Sequence, residues 1–169
     1  MLRTFVWRAL DATRFEIARV EVEADRLTAS GTQIGVEPQA YELRYTLGPD
    51  ALRVEVAGVR ELDVDLDRYE FFDLGYSPLF NSLPVLRYGL GNGGEARDFV
   101  MAWVSVPELE VTRSEQRYEP LGPGRVRYRA GSFSAELELD SDGFVVYYPG
   151  LAERVFPPAP GAGATMARP

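Results

Sequence analysis

Residues 41–47 read Tyr-Glu-Leu-Arg-Tyr-Thr-Leu, and residues 51–56 read Ala-Leu-Arg-Val-Glu-Val. In both stretches a large apolar side chain alternates with a polar one. Because successive side chains of a β-strand point to opposite faces of the sheet, this period of two predicts strands with one buried face and one wet face. The turn signal Gly48-Pro49-Asp50 separates the two stretches, which together predict an antiparallel β-hairpin.

The same alternation recurs in residues 62–67, 125–129 and 133–139. Turn signals divide the chain into about six predicted strands before Asp67 and about six after Leu83, at a spacing of roughly ten residues. Such regular spacing is typical of an antiparallel meander, a sandwich or a barrel. The residues therefore predict an all-β fold and leave the choice among these architectures open.

Two longer strands carry additional predictions. In residues 15–25 the apolar positions are first odd and then even, which predicts a β-bulge near Ile17–Ala18. Residues 96–106 are apolar in both phases from Phe99 to Trp103. That pattern predicts a strand covered on both faces, or a strand with one face turned to a ligand cavity.

Residues 68–84 form a long connection rich in aromatic side chains, and we expect it to pack against the rest of the protein. Pro78 and Pro84 argue against helix at the residues that precede them, so the segment is predicted as an irregular loop. Residues 69–74 are the best helix candidate, as one short turn. Arg87 is predicted on a strand, either pairing with Asp65 or a loop carbonyl, or contacting an anion or a sugar.

Composition excludes many catalytic mechanisms. The 169 residues carry a net charge of -8 and include no His, no Cys and no Lys. Histidine-based triads, cysteine nucleophiles, Schiff-base lysines and zinc or iron–sulfur sites are therefore not expected. We predict no cofactor, no metal and no nucleic-acid partner, since the last requires a basic surface. Catalysis is less expected than simple binding.

The chain length fits one domain. We expect a single β domain over residues 1–155, followed by a Pro-, Gly- and Ala-rich tail over residues 156–169. No apolar stretch reaches the roughly 18 residues of a transmembrane helix, and the first residues lack a signal-peptide core. A cytoplasmic location is therefore expected.

Two motifs have a structural and a functional interpretation. Residues 89–94, Gly-Leu-Gly-Asn-Gly-Gly, match the dinucleotide-binding fingerprint, but a strand-like stretch follows them. The fingerprint functions only before a helix, so a glycine-rich turn between two strands is predicted. Asp63, Asp65 and Asp67 are interpreted as a solvated strand face, as partners of arginines or as ligands of a cation.

Three segments carry a family resemblance. Residues 63–66 read Asp-Val-Asp-Leu, residues 77–87 read Ser-Pro-Leu-Phe-Asn-Ser-Leu-Pro-Val-Leu-Arg, and residues 140–151 read Asp-Ser-Asp-Gly-Phe-Val-Val-Tyr-Tyr-Pro-Gly-Leu. With Gln116-x-Tyr118 between them, they resemble the bacterial family named putative glycolipid-binding. The resemblance implies a large antiparallel meander curled into a half-open, unclosed barrel, similar to periplasmic lipoprotein carriers, and a glycolipid ligand.

From this fold we expect a lipid or glycolipid partner bound to the concave face of the sheet. Its acyl part is predicted near Tyr88, Phe99 and Trp103, and its polar head near Asn81, Arg87, Gln116 and Tyr118. Tyr128, which matches a tyrosine of the family pattern, completes the predicted ligand residues.

Two other functions remain open at the level of sequence. One is a hydrolase that acts on a sugar or a lipid-linked substrate through carboxylates such as Asp65 or Asp142. The other is a protein-interaction module that uses exposed strand edges. The sequence does not indicate an oligomeric state.

Overall fold

The computed structural model describes residues 1–23 and 26–159, and it confirms the predicted all-β class. These residues form a single sheet of 13 strands, one α-helix and one short 3-10 helix. The strands are β1 (Leu2–Ala9), β2 (Arg14–Glu23), β3 (Arg26–Gly35), β4 (Tyr41–Leu47), β5 (Ala51–Val56), β6 (Arg60–Asp65), β7 (Phe71–Leu74), β8 (Arg97–Val104), β9 (Val111–Gly122), β10 (Arg125–Ala130), β11 (Phe133–Leu139), β12 (Val145–Tyr148) and β13 (Ala152–Phe156). The helices are α1 (Pro78–Tyr88) and the 3-10 helix Leu90–Asn92.

The strand order is β6-β5-β4-β3-β2-β1-β13-β12-β11-β10-β9-β8-β7. Two six-stranded antiparallel meanders, β1–β6 and β8–β13, are therefore joined where β1 pairs with β13. Strand β7 adds to the outer edge of β8 in parallel orientation, which the purely antiparallel prediction did not include. The edge strands β6 and β7 do not pair with each other, so the sheet stays open, as the predicted half-open barrel requires.

The prediction for residues 77–88 was wrong, because the structure has a helix there. Pro78 is the first helical residue, where its missing N–H would be unsatisfied in any case. Pro84 does lie inside the helix, at a cost of about 3 kcal/mol in an isolated helix. Eight consecutive residues of α1, Pro78 to Val85, are buried, and tertiary packing offsets that cost.

Neighbouring predictions change with the helix. Arg87 lies in the last turn of α1 and not on a strand. Residues 71–74 of the predicted helical turn are strand β7. The glycine-rich segment 89–94 connects a helix to a strand, and the helix ends where the N–H of Gly89, at φ 63°, donates to the carbonyl of Val85.

The predicted β-bulge in β2 is also absent from the described register. Strand β2 pairs with β1 and with β3 without a shift at Ile17–Ala18. Phe15 and Ile17 point outward and are 40% and 49% exposed, whereas Glu16 points inward and is 3% exposed. Outward apolar residues around an inward carboxylate imitated a change of phase.

Helix α1 lies inside the open barrel. Its Leu79, Phe80 and Leu83 join the larger hydrophobic cluster, built mainly from inward side chains of β1–β7. Its Val85 belongs to a second cluster, built from β8–β12. Strand β8 contributes to both clusters, as its two apolar phases predicted.

The described part of the chain contains no helix long and apolar enough to cross a membrane. Strand β13 ends at Phe156, close to the predicted start of the tail. Residues 160–169 of that tail lie outside the described residues.

Candidate ligand-binding cleft

The C-terminal half of α1 borders a cleft of about 680 Å³. The cleft, called here the α1 cleft, lies between that half of the helix, the β2–β3 and β4–β5 turns, and the segment that leads from β6 into β7. Its volume falls within the roughly 300–1,000 Å³ typical of small-molecule sites. The side chains and backbone that line it are Val22, Leu27, Leu47, Gly48, Pro49, Asp50, Leu66, Glu70, Phe71, Phe72, Leu83, Leu86, Arg87 and Tyr88.

The wall of the α1 cleft is largely apolar, and its charged residues are few. Three of the lining residues are charged, Asp50, Glu70 and Arg87, and all three are exposed. Leu47, Phe72 and Leu83 are buried, so they form the deep part of the wall. This distribution places apolar surface inside and hydrogen-bonding groups at the outside, as an amphipathic ligand requires.

An aromatic group supports one wall. Tyr88 stacks on Phe99 with ring centroids 5.4 Å apart, and Phe71 packs edge-on against Phe99 at 5.3 Å. The guanidinium of Arg97 lies 4.3 Å from the ring centroid of Tyr88. Tyr88 is 41% exposed while Phe99 is 3% exposed, so Tyr88 presents the surface and Phe99 lies behind it.

Three of the residues predicted to contact the polar head form a buried network instead. The Nδ2 amide of Asn81 donates to the hydroxyl of Tyr118 at 3.1 Å, and that hydroxyl donates to Oε1 of Gln116 at 3.2 Å. Nε2 of Gln116 donates to Asp73 at 2.5 Å. This chain of bonds ties α1 to β9 and to the edge strand β7, and so it fixes the helix that borders the cleft.

Of the eight predicted ligand residues, the structure places Arg87 and Tyr88 in the lining of the α1 cleft. Tyr128 continues a row of rings beyond the network, with its centroid 5.3 Å from that of Tyr118. Trp103 is partly exposed in β8 and, among the described residues, does not line the cleft.

The carboxylates considered for hydrolysis do not form a buried pair. Asp63 and Asp65 are exposed on the edge strand β6. Asp142 is exposed in the β11–β12 turn, where it forms an ion pair with Arg3 at 2.9 Å. A general acid needs an environment that raises its pKa, and none of these sites provides burial.

The buried acids are two others, Glu16 and Asp73, which the sequence analysis did not identify. Oε1 of Glu16 accepts hydrogen bonds from the hydroxyls of Tyr45 and Ser77, both at 2.6 Å. Burial raises the pKa of Glu16 to about 7, against the lowering effect of these two bonds. The signal was available, because the even positions Ala18 and Val20 place position 16 on the inward face.

Burial likewise raises the pKa of Asp73 to about 6, although the bond from Gln116 acts in the opposite direction. Asp73 lies in the four-residue strand β7, too short to show a clear alternation. No periodic signal in the sequence therefore marked this carboxyl as inward.

Fold and cleft together define a half-open β-barrel whose interior is occupied by a helix and whose open side carries a largely apolar site. Residues 55–154, more than half of the chain, match the family described as "Putative glycolipid-binding", and the protein belongs to this family. The resemblance seen in the sequence is thereby confirmed.

A solved structure has the same fold. It is the crystal structure of a DUF1089 family protein from Pseudomonas aeruginosa, which is 25% identical in sequence and superposes with a TM-score of 0.66. The match covers 83% of this chain and 92% of that chain. No curated protein matches the sequence.

Proposed function

We propose that this protein is a non-enzymatic binder of a glycolipid or a similar amphipathic molecule, and that the α1 cleft is its binding site. The supporting observation is the cleft itself, an apolar recess of about 680 Å³ with charged residues at its exposed border. The family description points to the same class of ligand.

In this proposal the acyl chain enters between Leu47, Phe72 and Leu83. Burying apolar surface contributes about 25 cal/mol per Å², so a single chain supplies most of the affinity. The hydroxylated head remains at the exposed border, where Asp50 and Glu70 can accept hydrogen bonds and Arg87 can donate them.

The eight predicted ligand residues then have two roles. Arg87 and Tyr88 contact the ligand directly. Asn81, Gln116 and Tyr118 hold α1 in position through their buried bonds, and Phe99 supports Tyr88 from behind.

The test uses decyl maltoside, below its critical micelle concentration, as a neutral single-chain probe in calorimetric titrations. Val22 lines the cleft at the end of β2 and is 39% exposed, so Val22→Trp fills the recess at a position that tolerates a large side chain. The matched control is Ile17→Trp, on the outer face of the same strand.

We expect saturable binding to the wild type, binding to Val22→Trp weakened by about tenfold or more, and no change in Ile17→Trp. Absence of heat with the wild type, or equal affinities of the two variants, would overturn the assignment of the cleft.

A further inference from the structure

A second depression lies away from the α1 cleft, next to the segment that precedes α1. It is called here the Glu16 depression. Its lining residues are Trp7, Ala9, Arg14, Phe15, Glu16, Gln33, Tyr76, Leu151 and Ala152. It shares no lining residue with the α1 cleft, so it stands or falls independently of the proposed function.

Two buried polar atoms in this depression lack a hydrogen-bond partner among the described residues. They are Oε2 of Glu16 and Nε of Arg14. Oε1 of Glu16, in contrast, accepts two bonds, from Tyr45 and Ser77. Leaving a buried polar atom unsatisfied costs about 1–3 kcal/mol, and more if it is charged, so these two atoms favour a bound group that satisfies both.

The two atoms specify the chemistry of that group. Nε–H of Arg14 can only donate a hydrogen bond, and an ionised Glu16 can only accept one. A hydroxyl both accepts and donates, so one hydroxyl can satisfy the two atoms together. A carboxylate would repel Glu16, and an ammonium group would repel Arg14.

The size of the depression limits the group to a single hydroxyl. Its enclosed volume is about 10 Å³, close to the space of one water-sized group. The remainder of the ligand must therefore lie outside, where the rings of Phe15 and Tyr76 are 40% and 44% exposed. The guanidinium of Arg14 packs 3.9 Å from the ring centroid of Tyr76, which fixes this outer wall.

We propose that the Glu16 depression is a binding site for a small polyol, which inserts one hydroxyl between Glu16 and Arg14 and rests its carbon chain on Phe15 and Tyr76. The inserted hydroxyl donates to Oε2 of Glu16 and accepts from Nε of Arg14. The carbon chain of the polyol contributes apolar contact with the two rings.

The experiment is a titration of the 15N-labelled protein with xylitol, followed by the backbone amide resonances. We expect saturable shifts centred on Glu16, Gln33 and Tyr76. Acetate, which only accepts at neutral pH, and methylammonium, which only donates, should give no saturable shifts at the same concentrations.

Two variants carry the test, and each has a matched control on the outer face of the same strand. Glu16→Gln replaces the free oxygen, and Arg14→Met removes the donor. Their controls are Glu21→Gln and Arg19→Met. Both site variants should bind xylitol at least about tenfold more weakly, and both controls should bind as the wild type does.

Arg14 is partly exposed, so Arg14→Met should fold even where a change at Glu16 does not. The proposal is overturned if xylitol gives no saturable shifts, or if both site variants bind it as tightly as their controls. It is also overturned if crystals soaked in xylitol show only a water molecule in the depression.

Discussion

Glu16 shows how strongly one position depends on its surroundings. On a sequence printed in isolation it is an ordinary acid between two apolar residues. In the folded protein it lies on the inward face of β2, with Arg14 on its own strand, Gln33 on β3, Tyr45 on β4 and Ser77 before α1 around it. Removal from water favours the neutral carboxyl, and its pKa rises from 4.5 to about 7.

This shift has a consequence for stability. Between the pKa of the unfolded chain and that of the folded protein, the folded state holds a proton that the unfolded state has lost. Stability from Glu16 is therefore full below about pH 4.5 and is lost as the pH rises through about 7. The usual behaviour of a salt-bridged carboxylate is the reverse.

We expect urea unfolding of the wild type to show a free energy that falls between about pH 5 and pH 7.5. Glu16→Gln should flatten this decline, by up to about 1.4 kcal/mol per pH unit. Glu21→Gln removes the same charge from the outer face and should leave the slope unchanged. A slope in Glu16→Gln equal to that of the wild type would contradict the raised pKa.

At the scale of elements, α1 depends on bonds that it makes to the sheet. Ser82 accepts a hydrogen bond from the N–H of Val145 at 3.1 Å and donates one to the carbonyl of Pro78 at 3.1 Å. Asn81 reaches Tyr118 on β9. Because Pro84 interrupts the helical hydrogen bonds, these contacts and the burial of apolar side chains hold the helix in place.

We expect Asn81→Ala to destabilise the protein by about 1–3 kcal/mol, because the hydroxyl of Tyr118 then loses a buried partner. Asn92→Ala, in the exposed 3-10 helix, is the matched control and should change stability by less than about 0.5 kcal/mol. Chemical denaturation measures both. Equal effects of the two changes would show that the buried network does not stabilise α1.

At the scale of the whole molecule, the two meanders meet at one seam. Besides the pairing of β1 with β13, Nε1 of Trp7 donates to the carbonyl of Val145 at 2.9 Å. Beside the seam, Arg154 of β13 forms an ion pair with Asp140 at 2.5 Å, and the two side chains are 2% and 6% exposed. Breaking a buried pair leaves an uncompensated charge in the interior.

Arg154→Met should therefore cost about 3–5 kcal/mol of unfolding free energy. The double variant Arg154→Met with Asp140→Asn should recover part of this loss, since no buried charge then remains. The control is Arg8→Met, which breaks the exposed pair with Glu153 and should cost less than about 1 kcal/mol. Similar losses for Arg154→Met and Arg8→Met would contradict the role of burial.

The sequence by itself determined the repeated strands. Alternation in residues 41–47 and 51–56 is a local property, since a strand with one wet face needs polar and apolar residues at successive positions. It therefore predicted the class of the fold, six strands in each meander and both covered faces of β8. Family segments such as residues 77–87 added the open barrel and the expected class of ligand.

Only the tertiary structure decided the path of α1 and the inward position of Glu16. Helix formation around Pro84 depends on burial inside a barrel that distant strands create, and no local pattern contains that environment. The same holds for Asn81, Gln116 and Tyr118, which a local analysis places on a ligand surface. Once α1 fills the hollow, their polar atoms must bond to one another, and the space left for a ligand shifts to the C-terminal end of the helix.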